Sequence, residues 1–313
     1  MTEQTKHLFL LNPAAGKHDS TAVLRQQIDE LGSARGMDYR IVLTEGRGHA
    51  TQLAREAARS GDEVRIYACG GDGTLNEAVN GAAGWENAAV THVPCGSGND
   101  FVRLFSDPAA FADLGRLMDP DEARFDVIRV NDRLSIGICS IGFDARIGTD
   151  IARYKRLPLV TGSGAYALSI AANLFRGVHE HYRITLDSGE VLDDQFTLAC
   201  MCNGRWYGGG YYPVPEADPS DGLIDLLLVK AVSRPTVVRV IGKYKAGRYR
   251  DLPQLISHRK CRQITVEADY PISVNLDGEL LRAQTIRFAV EPGQLRFFYP
   301  KGLTWHAAAS PVR

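Results

Sequence analysis

The sequence predicts an α/β domain built on a parallel, doubly wound sheet, followed by a second domain of packed antiparallel strands. Three observations carry this. Up to about residue 125 short apolar runs alternate with helical patterns; beyond Arg124 the chain turns β-rich; and in the first half the residues of unusual chemistry each follow an apolar run. That last placement is the carboxyl end of a strand, where open α/β sheets bind ligands. The 313 residues are 44% hydrophobic and 23% charged with a net charge of −1, enough apolar material for two cores and the wrong balance for a nucleic-acid binder.

In the first half, residues 8–12, 41–44, 64–69 and 91–94 read as buried strands. Helices are expected over 20–31, with Leu24, Ile28 and Leu31 on one face, and over 49–60, with Leu53, Ala54 and Ala57. The loops that follow the strands are Asn12-Pro13-Ala14-Ala15-Gly16-Lys17, Thr44-Glu45-Gly46-Arg47-Gly48-His49, Gly70 to Glu77, and Pro94-Cys95-Gly96-Ser97-Gly98-Asn99-Asp100. Beyond them, residues 125–130, 134–138, 181–186, 196–202, 223–229, 264–268, 272–276, 286–290 and 295–299 read as strands, interrupted by helices over 162–175 and 234–246. The connector Asp119-Pro120-Asp121-Glu122 places the hinge, giving domains 1–124 and 125–299, with the tail 300–313 expected to pack back on the first.

The amino terminus has no apolar signal core, and no run of about 18 apolar residues occurs. A cytoplasmic protein without a membrane span is expected. Six cysteines lie mostly in apolar strand-like segments without paired metal spacing, so they read as reduced core residues, Cys200 and Cys202 sharing a strand face. The histidines, including His179 and His181, suggest no metal site.

The richest stretch is Cys69-Gly70-Gly71-Asp72-Gly73-Thr74-Leu75-Asn76-Glu77, an apolar strand running into glycines, one carboxylate and a helix start. Backbone N–H groups and a helix N-terminus can meet phosphate there, with Asp72 free to hold a cation-bound nucleotide. A dinucleotide fingerprint fails because Asn76 stands at the third glycine position, and a Walker A loop fails because His18 follows Gly16-Lys17. Lys17 either neutralises phosphate charge or is a solvated loop lysine.

Asn12-Pro-Ala-Ala-Gly16, Gly70-Gly-Asp-Gly-Thr-Leu-Asn-Glu77, Gly96-Ser-Gly-Asn-Asp100 and Asn275-Leu-Asp-Gly-Glu279 resemble, in this order, the motif series of the bacterial diacylglycerol kinase-like lipid kinases. Gly-Gly-Asp-Gly alone is shared with NAD kinases and phosphofructokinases; the ordered set of four is specific. The resemblance covers nearly the whole chain. It implies an ATP-dependent kinase with a Rossmann-like first domain, a β-sandwich second domain and the active site in the interdomain cleft.

Carried onto matching positions, the resemblance assigns Asn12, Pro13, Ala14, Ala15, Gly16, Thr44, Gly70, Gly71, Asp72, Gly73, Thr74, Leu75, Asn76 and Ser97 to ATP. Ser97-Gly98 stands where the family often has Thr-Ala, which keeps the hydroxyl and loosens the backbone. Asp277 and Glu279 sit two residues apart at a strand-end turn, and Asp-Gly is also a strong hairpin pair. Phosphoryl transfer to a hydroxyl asks for a carboxylate that deprotonates the acceptor. Glu279 is the expected base, with Asp277 as its alternative or partner and Asp72 the third acid of the site. Asp126, after the hinge, is either part of that charge network or an exposed strand-edge acid.

Asp218-Pro219-Ser220-Asp221-Gly222-Leu223 resembles the family's magnesium loop, in which the Asp221 carboxylate and the main-chain carbonyls of Asp218 and Leu223 would bind Mg2+. Residues 234–262 carry nine basic side chains against one acid, Asp251, with Val237, Val238, Ile241 and Tyr244 as an apolar stripe. Such a segment docks on an anionic membrane, covers the lipid, or is a solvated helical face. The expected partners are a lipid substrate and a membrane surface, with a homodimer open. Diacylglycerol is the leading acceptor; the rivals are an NAD kinase acting on a soluble ribose and a non-catalytic nucleotide-binding regulator.

Overall fold

The computed structural model describes residues 5–16, 19–147, 168–169, 172–174 and 177–305. Lys17, most of the helix expected over 162–175, and the tail beyond Trp305 lie outside them.

Strands β1 (Lys6–Leu11), β2 (Asp38–Leu43), β3 (Val64–Gly70) and β4 (Ala88–Pro94) pair in parallel in the order β4-β3-β1-β2. β3 and β4 are buried along nearly their whole length, which is why both read as continuous apolar runs. Helices α1 (Thr21–Arg35), α2 (His49–Arg59) and α3 (Asp72–Ala82) make the crossovers. α2 turns Ala50, Leu53, Ala54 and Ala58 to the core, a 3.6-residue stripe.

The second half comprises β5 (Pro120–Val130), β6 (Arg133–Ser135), β7 (Ile138–Gly142), β8 (Glu180–Leu186), β9 (Val191–Cys202), β10 (Ile224–Lys230), β11 (Ile256–Cys261), β12 (Gln263–Leu276) and β13 (Glu279–Pro300), with helix α4 (Arg234–Lys245). β7, β9, β8 and β12 pair antiparallel in a closed circuit around a core that includes Ile141, Tyr182, Ile184, Val266 and Val274. On the outer face of β9 and β10 a further core, with Leu198, Cys200, Cys202, Leu227 and Val229, is covered by Tyr244 of α4. This is the β-sandwich unit.

No linker separates the two units. β13 is 22 residues long; its first half pairs with β12, and its end pairs with β5 and, in parallel, with β4 through Arg296↔Ala89 and Phe297↔Val90. Leu295, Phe297, Phe298 and Tyr299, expected among the sandwich strands, are buried in the first core with Phe101, Phe105 and Phe125. Trp305 joins that cluster, set edge-on against Phe105, Phe125 and Tyr299.

Other expectations shift in detail. The segments 264–268 and 272–276 are one strand with an irregularity between Glu267 and Ile272, and 286–290 with 295–299 likewise lie on β13. The strand expected over 134–138 is broken after Ser135, for a reason given below. The six cysteines are unpaired, and Cys200 and Cys202 pack side by side in one core. Among the described residues no helix is long and apolar enough to cross a membrane.

The basic segment is not an open patch. Val237 and Tyr244 are buried against the sheet, whereas Val238 is 62% exposed and leaves the expected apolar stripe. Lys243 and Arg248 pair with Asp251, Arg250 with Glu216, Arg259 with Glu190, and Lys260 with Asp221.

His7 on β1 stacks on Tyr67 and shares a hydrogen bond with its hydroxyl; burial, aided by Arg65, lowers its pKa to about 4. Protonation is therefore easier in the unfolded chain, and the contribution of neutral His7 to stability is present above about pH 6.5 and lost as pH falls toward 4. After allowance for solvent screening it is on the order of 1 kcal/mol. Thermal melts of wild type and His7→Gln should show the wild type losing more stability between pH 7.5 and 4.5; parallel losses would contradict this origin.

Candidate active site

The site is assembled at the carboxyl ends of β1, β2, β3 and β4. After β1, Asn12 closes a tight turn by accepting a hydrogen bond from Ala14 N on its Oδ1 at 3.0 Å, and its Nδ2 donates to Thr74 Oγ1 at 2.9 Å. β3 passes through Gly70 and Gly71 into α3, and the neighbouring loop lies against it. A Cβ on Gly96 would stand 2.6 Å from Gly71 Cα, and one on Gly98 would stand 2.5 Å from Asp72 Oδ2. Glycine is required at position 96, where another backbone already occupies the space, whereas a Cβ at position 98 would have to displace the Asp72 carboxylate.

Asp72 opens α3, where its charge suits the helix dipole, and its Oδ1 accepts the Asp100 N–H at 2.6 Å. Asp100 is buried; its Oδ2 accepts Gly209 N at 2.7 Å, while its Oδ1 has no hydrogen-bond partner among the described residues, with Arg103 Nε 3.4 Å away. Burial first, and the nearby Asp72 charge with it, push the Asp100 carboxyl up to about 6 against the pull of the Gly209 N–H. Two adjacent carboxylates, one with a buried oxygen that has the Arg103 ion pair but no hydrogen bond among the described residues, form an oxygen-donor pair suited to a hard cation.

From the other unit comes the β12–β13 hairpin. Leu276 pairs with Glu279, and Asp277 (φ 47°) and Gly278 (φ 95°) make the two-residue turn, so the hairpin reading of Asp-Gly holds. Asp277 Oδ1 accepts the N–H groups of Gly137 at 3.1 Å and Ile138 at 3.0 Å; Oδ2 accepts those of Ile136 and of the Asn76 side chain, each at 2.9 Å. This is why the strand expected over 134–138 breaks: its N–H groups point at a carboxylate instead of a neighbouring strand. Burial pushes the Asp277 carboxyl upward, and these donors pull against it.

Glu279, one residue past the turn, makes an ion pair with Arg47 of the loop between β2 and α2. That loop is fixed by Glu77 of α3, whose carboxylate accepts Gly48 N at 2.8 Å and Ala50 N at 3.1 Å.

Of the expected nucleotide residues, Asn12, Pro13, Ala14, Ala15, Gly16, Thr44, Gly71, Asp72, Gly73, Thr74 and Ser97 line one cleft of about 620 Å3, together with Asp277 and Glu279. That volume is within the usual range for small-molecule sites. Gly70, Leu75 and Asn76 stand behind the cleft. Gly70 keeps space for Thr74, Leu75 is in the core, and Asn76 braces Asp277.

Asp218, Asp221 and Leu223 are not in the cleft. Asp218 Oδ1 accepts the Ser220 N–H and hydroxyl, Asp221 Oδ1 accepts Leu223 N, and Lys260 Nζ lies 2.6 Å from Asp221 Oδ2. Asp126 belongs to this loop and not to the Asp72 cluster, and it is buried, not exposed at an edge; its carboxylate accepts Gly222 N at 2.7 Å and Gly293 N at 2.8 Å. The donors are oxygens, as Mg2+ requires, and Lys260 supplies the positive charge. Among the described residues no three His, Cys, Asp or Glu side chains are gathered for a metal.

Arg47, Glu77 and Asp100 were not assigned from sequence. Glu77 and Asp100 close two of the recognised motifs, a signal that was present; Arg47 carried none, because its partner lies 232 residues away.

Both units and their shared cleft define an enzyme of the kinase class, and the comparisons agree. The family model for the diacylglycerol kinase catalytic domain matches residues 6–130, and that for the YegS C-terminal NAD kinase beta sandwich-like domain matches residues 137–299. The chain belongs to the bacterial diacylglycerol kinase-like lipid kinase family. It is 29% identical to a probable lipid kinase YegS-like of Pseudomonas aeruginosa over 94% of each chain. It is also 29% identical to a diacylglycerol kinase of Mycobacterium tuberculosis over 93% of this chain and 94% of that one. Two solved structures from Bacillus anthracis str. Sterne share the fold. One superposes with a TM-score of 0.75 at 26% identity over 97% of this chain and 100% of that one. The other, a diacylglycerol kinase, superposes with 0.69 at 24% over 96% and 99%.

Asp277→Ala should lower the stability measured by urea denaturation by about 3 kcal/mol, because it orphans four buried N–H donors. Glu279→Gln, at a partly exposed pair, should change it by less than about 1 kcal/mol. Equal effects of the two substitutions would contradict the structural role of Asp277.

Proposed function

We propose that the enzyme transfers the γ-phosphate of Mg·ATP to a lipid hydroxyl, with diacylglycerol giving phosphatidate as the leading case. The observation that carries this reading is the convergence of the Gly71–Thr74 helix start with the Asp277–Glu279 hairpin in one cleft. The triphosphate lies against the α3 N-terminus and the glycine backbone. Asp72 and Asp100 would hold the cation, which would neutralise charge on the phosphates. The carboxylate of Glu279 takes the proton of the acceptor hydroxyl while its oxygen bonds to the γ-phosphorus; the bond from that phosphorus to the β–γ bridging oxygen breaks, and ADP leaves. Asp277 holds the hairpin in register rather than moving a proton. In the Asp218–Leu223 loop, Asp221 and the carbonyls of Asp218 and Leu223 would be the oxygen ligands of a second Mg2+, where Lys260 now pairs with Asp221.

An apolar pocket of about 50 Å3 lies between the outer sheet face and α4, lined by Phe143, Ile147, Leu198, Val229, Val240 and Ile241, with room for the tip of an apolar chain and not for a whole one. β7 leads there from the site: its first residue, Ile138, donates to Asp277, and its last, Gly142, precedes Phe143. Five residues of strand span roughly 16 Å, which sets the distance from the Asp277 turn to the pocket; β7 itself is buried throughout and paired on both edges. The exposed face of α4, with Arg234, Val238 and Arg239, is the surface for peripheral membrane contact.

Mass spectrometry of a total lipid extract incubated with the enzyme and Mg·ATP should show one phosphorylated lipid class. Transfer to none of the lipids, with NADP formed from NAD, would replace this reading by the soluble-substrate one. ATP binding without any transfer would favour a regulator. Glu279→Gln should lose turnover by about a hundredfold or more while still binding ATP.

A further inference from the structure

Arg47 faces the proposed base across the cleft, and the two loops concerned are held by consecutive residues of one helix. Asn76 donates to Asp277, which fixes the turn before Glu279, and Glu77 accepts the N–H groups of Gly48 and Ala50, which fixes the loop carrying Arg47. Thr51 Oγ1 adds a bond to the Glu77 carbonyl at 2.9 Å. The ion pair is thus positioned by the fold on both sides, although its members remain accessible, the Arg47 side chain at 64% and that of Glu279 at 29%.

The charge balance of the cleft is the second observation. Among its described lining residues Arg47 is the sole Lys or Arg, set against Glu45, Asp72, Glu77, Asp277 and Glu279. A nucleotide triphosphate entering this acidic cleft has one fixed guanidinium to meet, and that guanidinium is engaged with Glu279. An accessible ion pair is weak. A guanidinium on a phosphate, with parallel charge-assisted hydrogen bonds, is the stronger partnership.

We infer that Arg47 is an exchangeable counter-ion: it neutralises Glu279 while the cleft is empty and passes to the terminal phosphate when ATP binds, so that the nucleotide itself frees the base. The inference rests on the reading of Glu279 as the base and of the cleft as an ATP site. Its physical logic is that a carboxylate relieved of its guanidinium is the better proton acceptor. The enzyme then holds its strongest base only when the phosphoryl donor is in place.

The test is a cycle of ATP affinities, measured by calorimetry on the full-length chain without any lipid. Glu279→Gln releases Arg47 in advance and should bind ATP roughly two- to fivefold more tightly than wild type. Arg47→Ala should bind it about tenfold or more weakly. Adding Glu279→Gln to Arg47→Ala should then bring no gain, and ADP, which lacks the terminal phosphate, should show little of the gain in the single variant. Arg47→Lys, which keeps the charge without the fork, should fall between wild type and Arg47→Ala. Two results overturn the inference: an ATP affinity unchanged by Glu279→Gln, or the same gain with Arg47 removed, which would reduce the effect to loss of one negative charge. If wild type binds no ATP, the nucleotide reading falls and this inference with it. If the cycle closes as expected while no lipid is phosphorylated, the exchange stands and only the acceptor is wrong.

Discussion

The carboxylate of Asp277 accepts four N–H groups, three from the backbone of residues 136–138 and one from Asn76, and the relation of the two halves of the molecule depends on it. Hydrogen bonds to a charged group contribute about 1.5–3 kcal/mol each, well above neutral ones. They offset the burial of the charge and the left-handed backbone at Asp277 itself. A Cβ at Gly137 would stand 2.6 Å from Asp277 Oδ1, so the nest of N–H groups exists only because position 137 has no side chain. The same interaction links Asn76, on the helix whose N-terminus meets the cleft, to the hairpin that presents Glu279. The glycine-loop helix start and the Glu279 hairpin are therefore referenced to one helix instead of being joined by a flexible linker.

Continuity of the sheet reinforces this. β13 leaves the sandwich, crosses to β5 and ends beside β4, and its last residues are part of the first core. Relative motion of the units would have to bend β5 and β13, each of which is buried in the first core at one end and in the sandwich core at the other. The geometry at the cleft is closer to a preorganised site than to two domains that close on a ligand. Movement is left to exposed side chains such as Arg47.

How much of this could be read from the sequence depends on what each residue answers to. β3 and β4 were legible because a strand buried on both faces must be apolar throughout, and the glycine loops because unusual backbone needs unusual residues. Asp277-Gly278 was legible as a turn for the same reason. The break after Ser135 was not: Leu134, Ile136 and Ile138 keep the apolar spacing of a strand, and nothing local reveals that the N–H groups serve a carboxylate 140 residues away. Val238 misled because four apolar residues on a short helix define a stripe wider than the face that is buried. Asp126 could be placed only by its acceptors' partners, Gly222 and Gly293, which are distant in sequence.

The acidity of the cleft looks at first like a poor match for a polyanion, yet it follows from how the site must work. Phosphate attraction here is assigned to groups that do not titrate: the α3 N-terminus and backbone N–H groups exposed by glycine. On the function proposed above, the carboxylates are then set aside for a cation at Asp72 and Asp100 and for proton transfer at Glu279. A row of lysines would bind phosphate as well, but it would also hold Glu279 permanently in ion pairs and weaken it as a base. With Arg47 shared, on the inference drawn above, between the base and the incoming phosphate, the same charge serves binding and timing in succession, and the fold supplies the two loops that keep it within reach of both.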